Sequence, residues 1–568
     1  MPTSFSSSNA PRGPRAAVRP LVLALAGCLA VGTAQADERS DLEQLRATTL
    51  ALIQALVDQG LISGERAQAL LRQASERASA PAPAASAGAA GAATGAAPGV
   101  VRVPYIPETL KAQIKEDIKA EVLDTARAEG WADAHKFPDW LSGLRLEGDL
   151  RVREESDLLA STNTPASLYQ SQTQSPAWSP DLTNTQVNRT RTTLRARLGV
   201  LADLSDSTSA ELRISTGSTP TSASATVGSG SGYFNRYTVG LDRAWIRWAP
   251  VESFSATAGR MASPFFGTDL LWPDDLSLDG LALHAEHKLF ADSLGGFATV
   301  GAFPLQEFAL STHDKWLFGG QLGLNWALTE RTNLRFGASV YDFANIAGKR
   351  EANPAPTGPL ANTQPYYLGQ YPAGARLTGN TLIRLNDPTN TGAPVWGLAS
   401  KFVPVDLTAA LVLNELDPVQ IGLTLDYVKN TAFDLNDIDN RAGMTLSNLA
   451  QMTAGAQARL QIGSRSKDER GSWNAFFAMR RFERDAWLDA LTDTTWNLGG
   501  TNYVGYSVGG AYAFDRRATV GLRWTSTRNI DDGKRFLLNP SDPTSLTGTV
   551  SSAPLRIDVI QLEVNARF

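Results

Sequence analysis

From Gly143 to Phe568 apolar and polar side chains alternate with a period of two, in one segment after another. Leu144, Leu146, Gly148, Leu150 and Val152 share one face, and Arg145, Glu147, Asp149, Arg151 and Arg153 the other. Farther on, Leu194, Ala196, Leu198 and Val200 oppose Arg189, Arg191, Arg195 and Arg197. Ala454, Ala456, Ala458, Leu460 and Ile462 oppose Thr453, Gln457, Arg459 and Gln461. A strand patterned this way sets one face against apolar material and the other against water.

A soluble β-sandwich alternates too, so segment length and turn length must decide. The segments run to ~10 residues or more, which a tilted strand needs to cross a bilayer. Sixteen are expected: 143–154, 187–203, 208–216, 237–249, 252–261, 278–290, 294–303, 317–328, 332–343, 402–414, 418–430, 450–463, 471–484, 502–514, 516–529 and 554–568. Even-numbered strands lead into tight connections such as Leu204-Ser205-Asp206-Ser207 and Thr329-Glu330-Arg331. Odd-numbered ones lead into long polar loops. That asymmetry predicts a closed antiparallel outer-membrane barrel of about 16 strands over residues 143–568. Mean hydropathy is -0.18, and beyond the N-terminus no apolar run reaches the ~20 residues of a spanning helix.

The first 142 residues read differently. Arg12, Arg15 and Arg19 precede an apolar stretch, Leu21 to Gly32, and Ala34-Gln35-Ala36 offers a cleavage site. Residues 1–36 therefore read as a secretory signal peptide. Lipoprotein processing at Leu25-Ala26-Gly27-Cys28, with Cys28 acylated, is the weaker reading, because Leu29-Ala30-Val31 continues the apolar run. Residues 37–78 carry helical spacing and read as a helical hairpin. Residues 79–100 are nearly all Ala, Gly, Pro and Ser, a flexible linker. Residues 101–142 hold a pre-barrel helix whose stripe of Leu110, Ile114, Ile118 and Val122 must bury against the barrel base or against copies of itself.

Three stretches carry a family resemblance. They are Val101-Arg102-Val103-Pro104-Tyr105-Ile106-Pro107-Glu108, Leu144-Arg145-Leu146-Glu147-Gly148-Asp149-Leu150-Arg151, and Gly259-Arg260-Met261 followed by Pro264-Phe265-Phe266 and Leu271-Trp272-Pro273-Asp274-Asp275-Leu276. In these the chain resembles the Putative porin family of Gram-negative outer membranes. The resemblance implies an outer-membrane pore and names no substrate. At the other end Ile560, Leu562, Val564, Ala566 and Phe568 alternate to the last residue, similar to the strand that barrel assembly machinery recognises.

Other chemistries fare poorly. A net charge of -5 argues against phosphate-driven nucleic-acid binding. Four His and one Cys leave little for a metal or thiol site, and His284 and His287 fall on opposite faces of one strand. No nucleophile, base and orienting group stand out, so neither an enzyme nor a cofactor is expected. The acids Asp269, Asp274, Asp275 and Asp279 match no calcium-loop spacing. They read as a solvated loop, or as one folded into the pore against lumen arginines. The expected pore-lining residues are Arg145, Arg151, Arg153, Arg189, Arg191, Arg195, Arg197, Arg213, Arg243 and Arg247, with Arg523 on the same predicted face. Such a wall favours anions. Yet from residue 143 on, 38 basic groups face 42 acidic ones, so a transverse field between arginine wall and acidic loop fits equally well. The functional expectation is passive diffusion of small hydrophilic solutes or ions, with a mild anion preference. The rival is an envelope protein whose N-terminal helices tether the outer membrane to the cell wall. Expected partners are outer-membrane lipid, the assembly machinery, small solutes, further copies of the chain and the cell wall.

Overall fold

The computed structural model describes residues 143–568, apart from 171–174, 218, 230–235, 292, 309–310, 352–366, 388–392, 447–448, 467–468, 531–534, 540–541 and 551–552. The expected signal peptide, helical hairpin, linker and pre-barrel helix lie outside the described residues. Among the described residues no helix is long and apolar enough to cross a membrane.

Sixteen long strands form the wall. They are β1 (Leu144–Leu159), β2 (Arg189–Ser205), β3 (Thr208–Thr216), β4 (Val239–Val251), β5 (Phe254–Ala262), β6 (Ser277–Ala291), β7 (Leu294–Gln306) and β8 (Lys315–Ala327). Then come β9 (Thr332–Ala344), β10 (Pro404–Leu416), β11 (Val419–Asn430), β12 (Ala454–Ser464), β13 (Trp473–Phe482), β14 (Tyr503–Asp515), β15 (Ala518–Asn529) and β16 (Arg556–Arg567). Each pairs antiparallel with its neighbours in sequence, and β16 closes on β1 through Asp149↔Arg567 to Leu159↔Ile557. A closed ladder leaves no edge strand and rules out two packed sheets.

The burial pattern is that of a membrane barrel. Leu198 is 41 % exposed, Leu460 49 % and Val564 46 %, whereas Asp149, Arg195 and Gln457 are buried. Apolar side chains point outward and polar ones inward, as lipid outside and water inside require. A bulge at Asp242 keeps Arg213 opposite Arg243 and flips the parity of β4, so Leu241 and Ile246 both face out. The wall closes at its C-terminal seam on a glycine. Gly148 and Phe568 exchange backbone hydrogen bonds of 3.0 and 3.1 Å, and a Cβ at Gly148 would meet the Phe568 ring at 2.4 Å.

Most strand ends fall within a few residues of expectation, and the largest difference is in β1. β1 runs to Leu159 rather than 154, because the run Glu154-Glu155-Ser156-Asp157 continues the ladder opposite β2 instead of turning. Between β9 and β10 the chain adds no wall strand. Leu382–Arg384 pairs with Trp396–Leu398 in a small separate sheet.

Candidate functional site

The loop between β5 and β6, residues 263–276, crosses the lumen and is fastened along its length to the wall. The Gln321 side chain of β8 clamps its backbone, accepting from Phe266 N at 2.8 Å and donating to Phe266 O at 2.6 Å. Thr268 donates to Asp426 of β11 at 2.5 Å. Asp269 accepts from Gln457 of β12 at 2.7 Å and pairs with Arg480 of β13 at 3.0 Å. The Phe265 and Trp272 rings stack beside Tyr341, and Trp487 meets Trp272 edge-on at 5.2 Å. The loop then returns to the β1–β2 wall, where Asp275 meets Arg195 at 3.0 Å and Arg197 at 3.3 Å. With described residues of the β9–β10 and β13–β14 connections, it packs an apolar cluster that includes Phe402, Trp396 and Trp487 inside the long-loop end of the barrel.

The sequence-predicted arginines are brought together, but not as a bare positive wall. Arg195 and Arg197 share Asp149 at 2.8 and 2.5 Å as well as Asp275. Arg153 meets Glu563 at 2.7 Å, and Arg191 pairs with Glu155 and lies 3.8 Å from Asp157. Arg213 holds Asp242 at 2.6 Å, and Arg243 faces Glu211 at 3.8 Å. Arg151 donates to Ser224 at 2.8 Å. Arg145 pairs loosely with Asp203 near the short-turn end, and Arg189 and Arg247 are exposed. Arg523 donates to Thr495 and lies 5.1 Å from the Phe476 ring, which Arg459 covers at 4.0 Å.

The acids divide. Burial pushes Asp269 up, but Arg480, the Gln457 amide, Arg459 and Arg523 outweigh it and hold the carboxyl at about 2. Asp275 is also held below the usual range, chiefly by Arg195 and Arg151 against the cost of burial. Asp274 moves the other way: lost hydration and the charges of Asp269, Asp493 and Asp275 raise it. Asp279, grouped with the loop acids, lies on β6, as the expected strand 278–290 already placed it, and pairs there with Arg260 at 2.7 Å.

Sequence reasoning missed Arg480. It is fully buried, with its guanidinium on Asp269, Gln457, Tyr503 and the Trp496 ring. The available signal was parity, since Arg480 and Arg481 are adjacent and one must point inward. Apolar inward neighbours, Phe476 and Ala478, hid it. On the short-turn side a cavity of about 770 Å³ is lined by Arg459, Gln461, Asn474, Arg517 and Glu563. On the long-loop side one of about 430 Å³ is lined by Ser222, Asp242, Arg260 and Asp275.

The family model described as Putative porin matches residues 46–568. The chain belongs to this family. The porin is a passive channel of the outer membrane. No curated protein matches it. Among solved structures it is similar to OprB of Pseudomonas putida, at 12 % identity over 76 % of this chain and 96 % of that one, TM-score 0.41. The DcaP channel of Acinetobacter baumannii gives 10 % identity over 75 % and 97 %, TM-score 0.37. The anion-selective porin of Comamonas acidovorans gives 10 % over 75 % and 99 %, TM-score 0.36. The sixteen-strand assignment for this porin rests on its own closed ladder.

Proposed function

We propose that solutes pass the porin through the lumen beside loop 263–276, past acids and wall arginines that are paired with one another, with weak charge selection and without catalysis. The observation that supports this is the pairing of Asp275 and Asp149 with Arg195 and Arg197, which neutralises the arginines locally and leaves little net surplus. Charges neutralised by their partners hold back neither ion strongly. Planar-bilayer recording is the test. The full chain should give ohmic conductance in molar salt and a small reversal potential in a tenfold gradient. A protein that inserts without conducting would sink the reading and favour the envelope tether. In that reading residues 37–78 and 101–142 serve the cell wall; in ours they are periplasmic accessories behind a signal peptide at 1–36 and a linker at 79–100.

Selectivity should depend on acid. Asp274 takes up its proton at a pH above the ordinary carboxylate value, because its surroundings raise its pKa. As pH falls through that value the lumen loses a negative charge while Asp269 and Asp275, both held low, stay ionised. The reversal potential should therefore move toward anions on mild acidification. Asp274→Asn should show that value at neutral pH and respond less to acid.

Assembly should depend on the closing residue. The Phe568 ring covers Gly148, and its backbone completes the β16–β1 seam. Deleting Phe568, or replacing it with a charged residue, should sharply lower the amount of heat-modifiable protein in the outer membrane and leave the conductance of surviving channels unchanged. Unaltered amounts would count against a terminal assembly signal.

A further inference from the structure

We propose that the outer wall of β13–β16 binds the phosphorylated headgroup of an outer-leaflet lipid through Arg481, Arg528 and Arg556. The proposal rests on the lipid-facing assignment of the outward surface. Arg480 points into the lumen, so its neighbour Arg481 must point out. Register then sets three arginines in one row, since Arg481 pairs with Val504, Val504 with Arg528, and Arg528 with Arg556. All three arginines are exposed.

The row has a defined height. Four residues nearer the short-turn end, Phe477, Val508, Trp524 and Ile560 form an apolar row on the same face. Four residues farther, Trp473 pairs with Tyr512. Eight residues at ~3.3 Å per residue span ~26 Å along the strand, or ~20 Å across the membrane at the usual tilt. The arginines thus stand at the extracellular edge of the apolar band, where long cationic side chains reach the headgroups.

Charge and spacing point to phosphate. Glu483 lies 3.0 Å from Arg481, and Asp558 lies 3.9 Å from Arg556. Among the described residues no acid is recorded within ion-pair range of Arg528, and Lys429 is exposed at the same end of β11. Positive charge is therefore in excess. Neighbouring strands are ~4.8 Å apart, so Arg528 and Arg556 can grip one phosphate, and Arg481, two strands away at ~10 Å, can reach a second. The guanidinium fork suits phosphate oxygens better than a diffuse surface charge.

The test uses the full chain, folded in detergent, in native mass spectrometry with diphosphorylated lipid A. The wild type should retain the lipid. Arg481→Gln/Arg528→Gln/Arg556→Gln, checked for folding by heat modifiability, should bind it more than about tenfold more weakly, as loss of several charge-assisted contacts implies. Arg528→Gln alone guards against misfolding of the triple variant and should weaken binding in the same direction. Millimolar inorganic phosphate should not displace the lipid. Conductance should be unchanged in every variant, which separates this site from the channel reading. Equal retention of the dephosphorylated lipid, or undiminished binding by the variants, would overturn the proposal. So would the loss of an oligomer instead of a lipid in the variants, which would make this face a contact between copies.

Discussion

Replacing Arg480 with methionine should loosen the channel more than any other single lumen substitution. The guanidinium is buried against Asp269, Gln457, Tyr503 and Trp496. Methionine fills much of the volume but leaves Asp269 without its main counter-charge in a site that already opposes ionisation. Breaking one partner of a buried pair costs ~3–5 kcal/mol. The strain falls on loop 263–276, because Asp269 is its anchor to β12 and β13. Heat modification should occur at a lower temperature, and single-channel current should become noisy as the loop moves. Arg481→Met is the control, since that side chain points out of the barrel, and its current should match wild type. Quiet, heat-resistant channels from Arg480→Met would show that Asp269 does not hold the loop.

Much of this barrel is written in its parity. Strand number, the alternation of tight and long connections and the outward faces of β2, β12 and β16 follow from the period of two, because lipid and water impose opposite demands on neighbouring residues. Parity fails where its contrast is lost. β13 carries Phe476 and Ala478 inward, so Arg480 left no visible stripe. Glu155 and Asp157 lay beyond the expected end of the first strand at 154, although β2 opposite keeps them in the ladder, where they lie against Arg191. That omission made the arginines look more numerous than their partners. For loop 263–276 the local pattern left two readings open, a solvated loop or one folded into the pore against lumen arginines, and could not choose the inward path. It depends on contacts to β8, β11, β12, β13 and β2, all remote in sequence. Yet the Pro264-Phe265-Phe266 and Leu271-to-Leu276 stretches that carried the family resemblance are this loop.

The shared pairs of Asp275 make opposite predictions for its two sides. Asp275→Asn leaves Arg195 and Arg197 with Asp149 alone, so one uncompensated guanidinium faces the lumen. Selectivity should move toward anions. Arg195→Gln/Arg197→Gln leaves both Asp149 and Asp275 without their arginines, and selectivity should move toward cations. In a tenfold salt gradient each shift should be on the order of 10 mV, against ~59 mV for an ideally selective pore. Both should shrink when the recording is repeated at higher salt, because the Debye length falls from ~10 Å at 0.1 M to ~3 Å at 1 M. The double variant should also release the β2 end of loop 263–276, which Asp275 ties down, whereas Asp275→Asn can still accept hydrogen bonds from both arginines and should leave the current quiet. Two shifts of the same sign, or none, would mean that ions pass out of electrostatic reach of these pairs and that selection is made elsewhere in the lumen.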